Sequence, residues 1–444
     1  MRPKQQHTIA AVSSAPGKGA IAIVRLSGEK AIEIAKKLLG VKNEPIPEKI
    51  KRYILSTENI KDDVTAVFYK APKSYTGEDA VEIFCHGNNS IAEEIVEECI
   101  RNGARVAENG EFTKRAFLNN KIDLTQAEGI IDIINAESRA GINAAFSAVE
   151  GFLFKEIELI QKEILSMIAE AGAAVDYPEE NIEEITSEQL VEKIKPLIGK
   201  TQYLKESYDS GKVMRDGIRV AIVGEPNVGK SMLLNGLLGR DRAIVTDIEG
   251  TTRDTLEEAF EYRGIKFIFI DTAGIRETSD KIEKVGIERS YRAIDEADLI
   301  LSVTEPNKNY APIETKNKKI IKILNKSDIF SFGYGAEDIT NDNADIFVSA
   351  KTGENIDKLK ELIYNVSCKD VSASGAILTN ARQYSAVKNA HSSLERALLS
   401  AENNLFDCII SDLNEAYRTL GTVTGAYASD DVVNEIFSRF CVGK

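Results

Sequence analysis

The sequence predicts a multidomain chain of α/β and all-α parts: an N-terminal α+β domain, a helical domain, and an open α/β domain inserted into the helical one. Three observations predict it. Residues 1–118 mix strand-like and helix-like segments, while 119–215 carry helical spacing throughout. Helical spacing returns over 373–444. Between the two helical stretches, 216–372 alternates short apolar runs with polar turns, the pattern of a parallel sheet.

In the first domain Ile21–Leu26, Thr65–Tyr69 and Ala80–Phe84 read as strands. Ile91 to Asn102 mixes apolar and acidic residues at helical spacing and stops at Gly103. The helical part shows Ile122, Leu124, Ala127, Ile130, Ile131, Ile133 and Ile134, then Ile157, Ile160, Ile164 and Ile168. Gly211 to Gly217 reads as a short linker into the insert. A compact insert with adjacent termini disturbs its host little.

The insert carries the most informative segment. Ile218–Val223 is an apolar run, followed at once by Gly224-Glu-Pro-Asn-Val-Gly-Lys-Ser231, which fits GxxxxGK[ST]. The glycines let backbone N–H groups close around phosphate oxygens, Lys230 reaches the outer phosphates as a catalytic cation, and Ser231 can hold Mg²⁺. Asn227, Val228, Gly229, Lys230, Ser231 and Met232 are the expected contacts, and a helical pattern follows to Leu238.

Further motifs come in a fixed order. The loop Thr246, Asp247, Ile248, Glu249, Gly250, Thr251, Thr252 leads to Asp254. Asp271, Thr272, Ala273 and Gly274 follow the strand Lys266–Ile270. Asn325, Lys326 and Asp328 follow Ile320–Leu324, and Ser349, Ala350 and Lys351 follow Asp345–Val348. Ligands of open α/β sheets bind beyond the carboxyl ends of the strands. Thr252 can add a second hydroxyl to Mg²⁺, Asp271 can bind a metal-bound water, and Gly274 leaves space for a γ-phosphate. Asp328 can accept from guanine N1–H and the 2-amino group, a pattern adenine lacks. The motifs together predict a Ras-like P-loop GTPase domain that binds GTP and Mg²⁺.

Two features depart from Ras-like proteins. Ile275 stands where a water-orienting Gln would follow the Asp271–Gly274 motif, which leaves Arg276, Glu277, Asp280 and Glu283 as candidates. Asn227 offers a hard oxygen beside the phosphates; it either ligates a monovalent cation in place of an arginine finger or simply holds the loop. Glu305–Lys318 is also too short and irregular for a full crossover helix, so a truncated helix or extended loop is expected there.

Composition narrows the rest. With 43% hydrophobic and 28% charged residues the chain reads as soluble and globular, with no membrane-span-length apolar stretch and no signal-peptide core. Five scattered cysteines without metal-ligand pairing suit a reducing cytosol, most of them buried. A net charge of −14 argues against a whole-surface nucleic-acid binder but leaves room for a local basic site. Glu93-Glu94, Glu97-Glu98 and Glu179–Glu184 read as solvated helix faces.

The segments Tyr75–Asp79, Arg115–Glu128, Gly250–Asp254 and the terminal Cys441-Val-Gly-Lys444, with the order of domains, resemble the MnmE (TrmE) family of tRNA-modification GTPases over essentially the whole chain. The resemblance implies a cytoplasmic homodimer that works with the FAD-dependent partner MnmG in a heterotetramer. Together they would add a carboxymethylaminomethyl or aminomethyl group to C5 of a tRNA wobble uridine. It implies K⁺ held by Asn227, Thr246, Ile248 and Thr251, and Glu283 as the water-positioning carboxylate. It also implies an N-terminal domain that takes 5-formyltetrahydrofolate or a related folate through Arg25, Glu82, Lys121 and Lys444, and a catalytic Cys441 in the modification. Cys85 and Asn88 depart from the glycine-richer family pattern around His86, which bears on the folate fit. Two other readings are a GTP-driven switch in ribosome assembly and a one-carbon transferase with a regulatory GTPase insert.

Overall fold

The computed structural model describes residues 7–176, 186–239, 258–270, 292–306, 308–313, 315, 318–332, 343–368 and 375–444. The chain forms two compact units, Met1–Ile131 with Ala148–Lys200 and Ala386–Lys444, and Asp132–Ser147 with Thr201–Ser385.

The first unit is built on a six-stranded sheet of order β3-β4-β5-β2-β1-β6. Its strands are β1 (Ile9–Val12), β2 (Ile21–Ser27), β3 (Lys51–Ser56), β4 (Lys61–Tyr69), β5 (Ala80–His86) and β6 (Arg105–Val106). Only the β1–β6 pair is parallel. Strand alternation sends Ala22, Val24, Leu26, Val81, Ile83 and Cys85 into one core with α1 (Ala31–Leu38) and α2 (Asn89–Arg101). Because the period is two, Arg25 and Glu82 fall on the opposite face, directly paired across β2 and β5. Ile9, Ala11, Ala107 and Phe112 make a smaller cluster.

The three predicted strands are all present and slightly longer than expected, and the predicted helix is present over Asn89–Arg101. The solvated-face reading fails at Glu94, which is buried and accepts from Asn59 Nδ2 at 3.0 and 3.1 Å. Those hydrogen bonds hold its carboxyl below the usual range.

Helices fill the rest of this unit. α3 (Glu111–Leu118) and the start of α4 (Leu124–Asn135) pack with α12 (Asp430–Ser438) and the residues just after it through Phe117, Leu124, Phe437 and Phe440. α6 (Phe152–Asp176) lies along α11 (Phe406–Thr424), joined also by Gln161 Nε2 donating to Tyr417 O at 2.9 Å.

The second unit holds a sheet of order β12-β11-β10-β7-β9-β8. Its strands are β7 (Ile218–Val223), β8 (Glu258–Tyr262), β9 (Ile265–Phe269), β10 (Leu299–Thr304), β11 (Lys319–Leu324) and β12 (Ile346–Phe347). All pairs are parallel except the β8–β9 edge. α8 (Lys230–Leu238) and α9 (Ile356–Cys368) cover one face around Val220, Phe260, Phe267 and Leu301. β10 passes to β11 in parallel with no helix among the described residues of 305–318, as the short connection predicts.

The expected linker at Gly211–Gly217 is instead the end of α7 (Ser187–Asp216). Gly211 sits inside that helix because a Cβ there would stand 2.1 Å from Leu378 O. The glycine permits close helix–chain packing, which sequence reading mistook for a break. Gly217, at φ 78, turns the chain from α7 into β7. α5 (Arg139–Val149) and α10 (Ala381–Glu402) are further α-helices.

Candidate functional site

The phosphate loop leaves β7 against β10. A Cβ on Gly224 would lie 2.2 Å from Val303 O, so only glycine allows this path. Asn227 (φ 67) and Gly229 (φ 94) take left-handed conformations and turn the loop into α8, which starts at Lys230. Between them Val228 is fully buried in the core and anchors the loop. A helix N-terminus fed by such a loop presents backbone N–H groups to an anion. The Lys230 amine donates to Gly224 O at 2.7 Å and Glu225 O at 2.9 Å, and burial lowers its pKa. Ser231 is half-buried in the first turn, and Met232 is exposed.

The loops after β11 and β12 are tied to this one. Asn325 is buried; its Nδ2 donates to Val228 O at 2.9 Å and its Oδ1 accepts from Ala350 N at 3.0 Å. Lys326 (φ 65) donates to Asn227 O at 3.0 Å and pairs with Glu305. Asp328 Oδ1 accepts from Ser349 Oγ at 2.7 Å, which aims the carboxylate, and Lys351 is exposed beside them. Thus Asn227–Met232, Asn325, Lys326, Asp328 and Ser349–Lys351 gather at the carboxyl ends of the strands. Thr246–Thr252, Asp271–Gly274 and Glu283 lie outside the described residues.

Sequence reading missed Glu305. It stands one residue past β10 and takes Lys308 at 2.7 Å as well as Lys326, and both lysines hold its carboxyl below the usual range, Lys308 the more strongly. Lys308 also lies 3.8 Å from Glu225. The connection after β10 therefore reaches the phosphate loop through charged side chains. An acid directly after a strand end was the available signal.

A second constellation occupies the other unit. Arg25 Nε and Nη2 lie 2.9 and 2.8 Å from Glu82 Oε1, and the guanidinium carbon sits 5.6 Å from the Tyr75 ring and 5.7 Å from the Phe112 ring. Burial, then the Glu82 charge, raises the pKa of Tyr69 beside them. Arg25 Nη1 also donates to Gly443 O at 3.4 Å, so the chain terminus reaches this face. Lys444 O accepts from Phe112 N at 3.0 Å. Lys121 instead donates to Pro72 O at 3.2 Å, on the loop that carries Tyr75.

That loop rests on a buried ion network absent from the sequence reading. Arg115, 1% exposed, bonds Glu78, Glu111 and His7 O, each at 2.8 Å. Ser27 donates to Glu78 at 2.8 Å. Each buried charge is thus paired and hydrogen-bonded, which burial demands.

The departures near His86 have local roles. Cys85 points into the core, where burial pushes its thiol up to about 11. Asn88 caps α2 by accepting from Ser90 N at 2.9 Å. Gly87 remains obligatory, since a Cβ would stand 2.3 Å from Gly19 O. Cys441 is exposed rather than buried, as is Cys408; the other three cysteines are buried.

No group of three or more His, Cys, Asp or Glu suited to a metal occurs among the described residues. No helix among them is long and apolar enough to cross a membrane.

Comparison with known proteins matches two family profiles: the MnmE helical domain over residues 124–441 and the GTP-binding protein TrmE N-terminus over residues 8–121. The chain is 40% identical over 457 residues to a tRNA modification GTPase MnmE of Clostridioides difficile, covering 98% of this chain and 99% of that protein. It is 41% identical over 456 residues to one of Thermotoga petrophila, covering 98% and 100%. Among solved structures, the FeoB G-domain from Methanococcus jannaschii is 25% identical, covers 34% of this chain and 98% of that one, and superposes with a TM-score of 0.25.

Proposed function

The chain belongs to the MnmE (TrmE) family of tRNA modification GTPases, and from that membership we propose a K⁺-stimulated GTPase that drives C5 modification of the tRNA wobble uridine. The added group is carboxymethylaminomethyl or aminomethyl, the co-worker is an FAD-dependent MnmG-type protein, and the working form is a cytoplasmic homodimer within a heterotetramer.

The observation that carries the reading is the knitting of the guanine motif to the phosphate loop through Asn325, Val228 and Ala350. It supports GTP bound by Asn227–Met232, Asn325, Lys326, Asp328 and Ser349–Lys351. We assign Thr246–Thr252 and Asp271–Gly274 to the same site. Lys230 would meet the outer phosphates in place of its present carbonyl partners.

Ser231 with Thr252 would hold Mg²⁺. The Asn227 side chain has no hydrogen-bond partner among the described residues, so its carbonyl oxygen suits a hard cation. K⁺ would be held there with Thr246, Ile248 and Thr251, supplying positive charge where the transition state gathers negative charge. Glu283 would orient the attacking water.

The Arg25–Glu82 face supports a folate site. A carboxylate such as Glu82 accepts pterin N–H groups, and the Lys121 and Lys444 ammonium groups suit a glutamyl carboxylate. The folate would supply the one-carbon unit, and the FAD-dependent co-worker the two electrons that a formyl carbon needs to reach the methylene level. Cys441, exposed beside this face on the pinned terminus, is assigned to the modification.

Comparing GTP turnover in KCl and NaCl at equal ionic strength tests the cation. Turnover should be several-fold or more higher in KCl, and equal rates would reject it. Mass spectrometry of wobble nucleosides from a deletion strain tests the substrate; an unchanged nucleoside profile would reject the modification role and favour a ribosome-assembly switch.

A further inference from the structure

The last four residues follow a fixed path although their side chains are largely exposed. Phe440 is buried with Phe437 and Phe117 and anchors the start of the tail. Beyond it the backbone is held residue by residue. Cys441 O accepts from Gly110 N at 3.3 Å, and Val442 bridges to Asn109. Gly443 O accepts from Ser13 Oγ at 2.8 Å and Arg25 Nη1 at 3.4 Å, and Lys444 O accepts from Phe112 N at 3.0 Å. Gly443 has φ 93, and a Cβ there would stand 2.2 Å from Val12 O, so the tail lies flush against β1.

Three sides of Arg25 are already engaged. Glu82 takes Nε and Nη2, Tyr75 and Phe112 lie near the guanidinium, and Gly443 O takes Nη1. A guanidinium is a rigid fork, so holding Glu82 fixes where its remaining N–H groups point. We propose that Arg25 is a positioning residue: with Ser13 it clamps the Gly443 carbonyl and so sets where the tail presents the Cys441 thiol, rather than binding a ligand carboxylate itself. The clamp stands on contacts within the chain, while its importance for chemistry rests on the reading that Cys441 serves the modification.

The test uses the full-length protein and carboxypeptidase B, which removes a C-terminal lysine only from an accessible chain end. Ser13→Ala removes one donor without touching Arg25 or Glu82. Arg25→Met removes the other, and Arg25→Lys keeps the charge but lacks the fork. Release of Lys444 should be about tenfold faster in Ser13→Ala and in Arg25→Met, and Arg25→Lys should not restore protection. Losing one net hydrogen bond is worth up to roughly that factor for the neutral Ser13 hydroxyl and at least that for the charged Arg25. If Lys444 is released at the wild-type rate in Ser13→Ala and in Arg25→Lys, both with unchanged melting temperature, the clamp is wrong. The readout needs neither folate nor tRNA. Fast release with undiminished uridine modification would keep the clamp and reject the role of the tail in modification. A second arm compares 5-formyltetrahydrofolate with an analogue lacking the glutamyl carboxylate. A binding defect of Arg25→Lys that persists with the analogue supports the clamp; one that vanishes assigns Arg25 to the carboxylate and overturns it.

Discussion

The Asn325 side chain donates to the Val228 carbonyl at 2.9 Å, so the loop after β11 and the loop between β7 and α8 share one buried hydrogen bond. Its other end accepts from Ala350 N, which makes Asn325 the joint of three loops.

Asn325→Ala should therefore cost more than a surface amide. It leaves Val228 O and Ala350 N without their partner, and each buried orphan costs about 1–3 kcal/mol. A destabilisation of roughly 2–3 kcal/mol, together with weaker binding of both GTP and GDP, is expected from denaturant unfolding and calorimetric titration.

Asp328→Asn should weaken GTP binding, on the order of a hundredfold, and shift preference toward xanthosine nucleotides. Ser349 Oγ still holds the side chain in place, so the change is in recognition rather than in shape. Competition by ATP equal to that by GTP in the unmodified protein would overturn the assignment of this loop.

Gly211→Ala should destabilise the chain by about 1–3 kcal/mol, because the new methyl meets Leu378 O within the packed end of α7. A melting temperature equal to wild type would instead restore the linker reading of this glycine.

This position shows where sequence reading stops. Strand ends, the phosphate loop and the shortened crossover were legible, because period-two burial and glycine–lysine spacing are local signals. Gly211 was not, since the carbonyl that requires it is 167 positions away in sequence. Glu305 and the Arg115 network were missed for the same reason: a charged residue reads as surface until its partner is known. Arg25 and Glu82 were picked through family resemblance, yet only the β2–β5 register reveals that they bind each other.

Thiol labelling offers an independent check on burial. Burial pushes Cys85 and Cys368 up to about 11 and Cys99 up to about 12, so at pH 8 these remain protonated and shielded. Only Cys408 and Cys441 should react rapidly with a disulfide reagent in the native protein. The other three should appear on denaturation. A third fast thiol would contradict the packing of the core that contains it.

Under the proposed function one chain carries two separable chemistries, GTP hydrolysis on the parallel sheet and uridine modification at the pinned terminus. The most direct measurement removes Cys441–Lys444 and follows both rates on the same protein. Modification of wobble uridine should be abolished while K⁺-stimulated GTP hydrolysis stays within about twofold of wild type, a change worth only a few tenths of a kcal/mol. Loss of both activities with the fold intact would overturn this separation and make the tail part of the GTPase cycle.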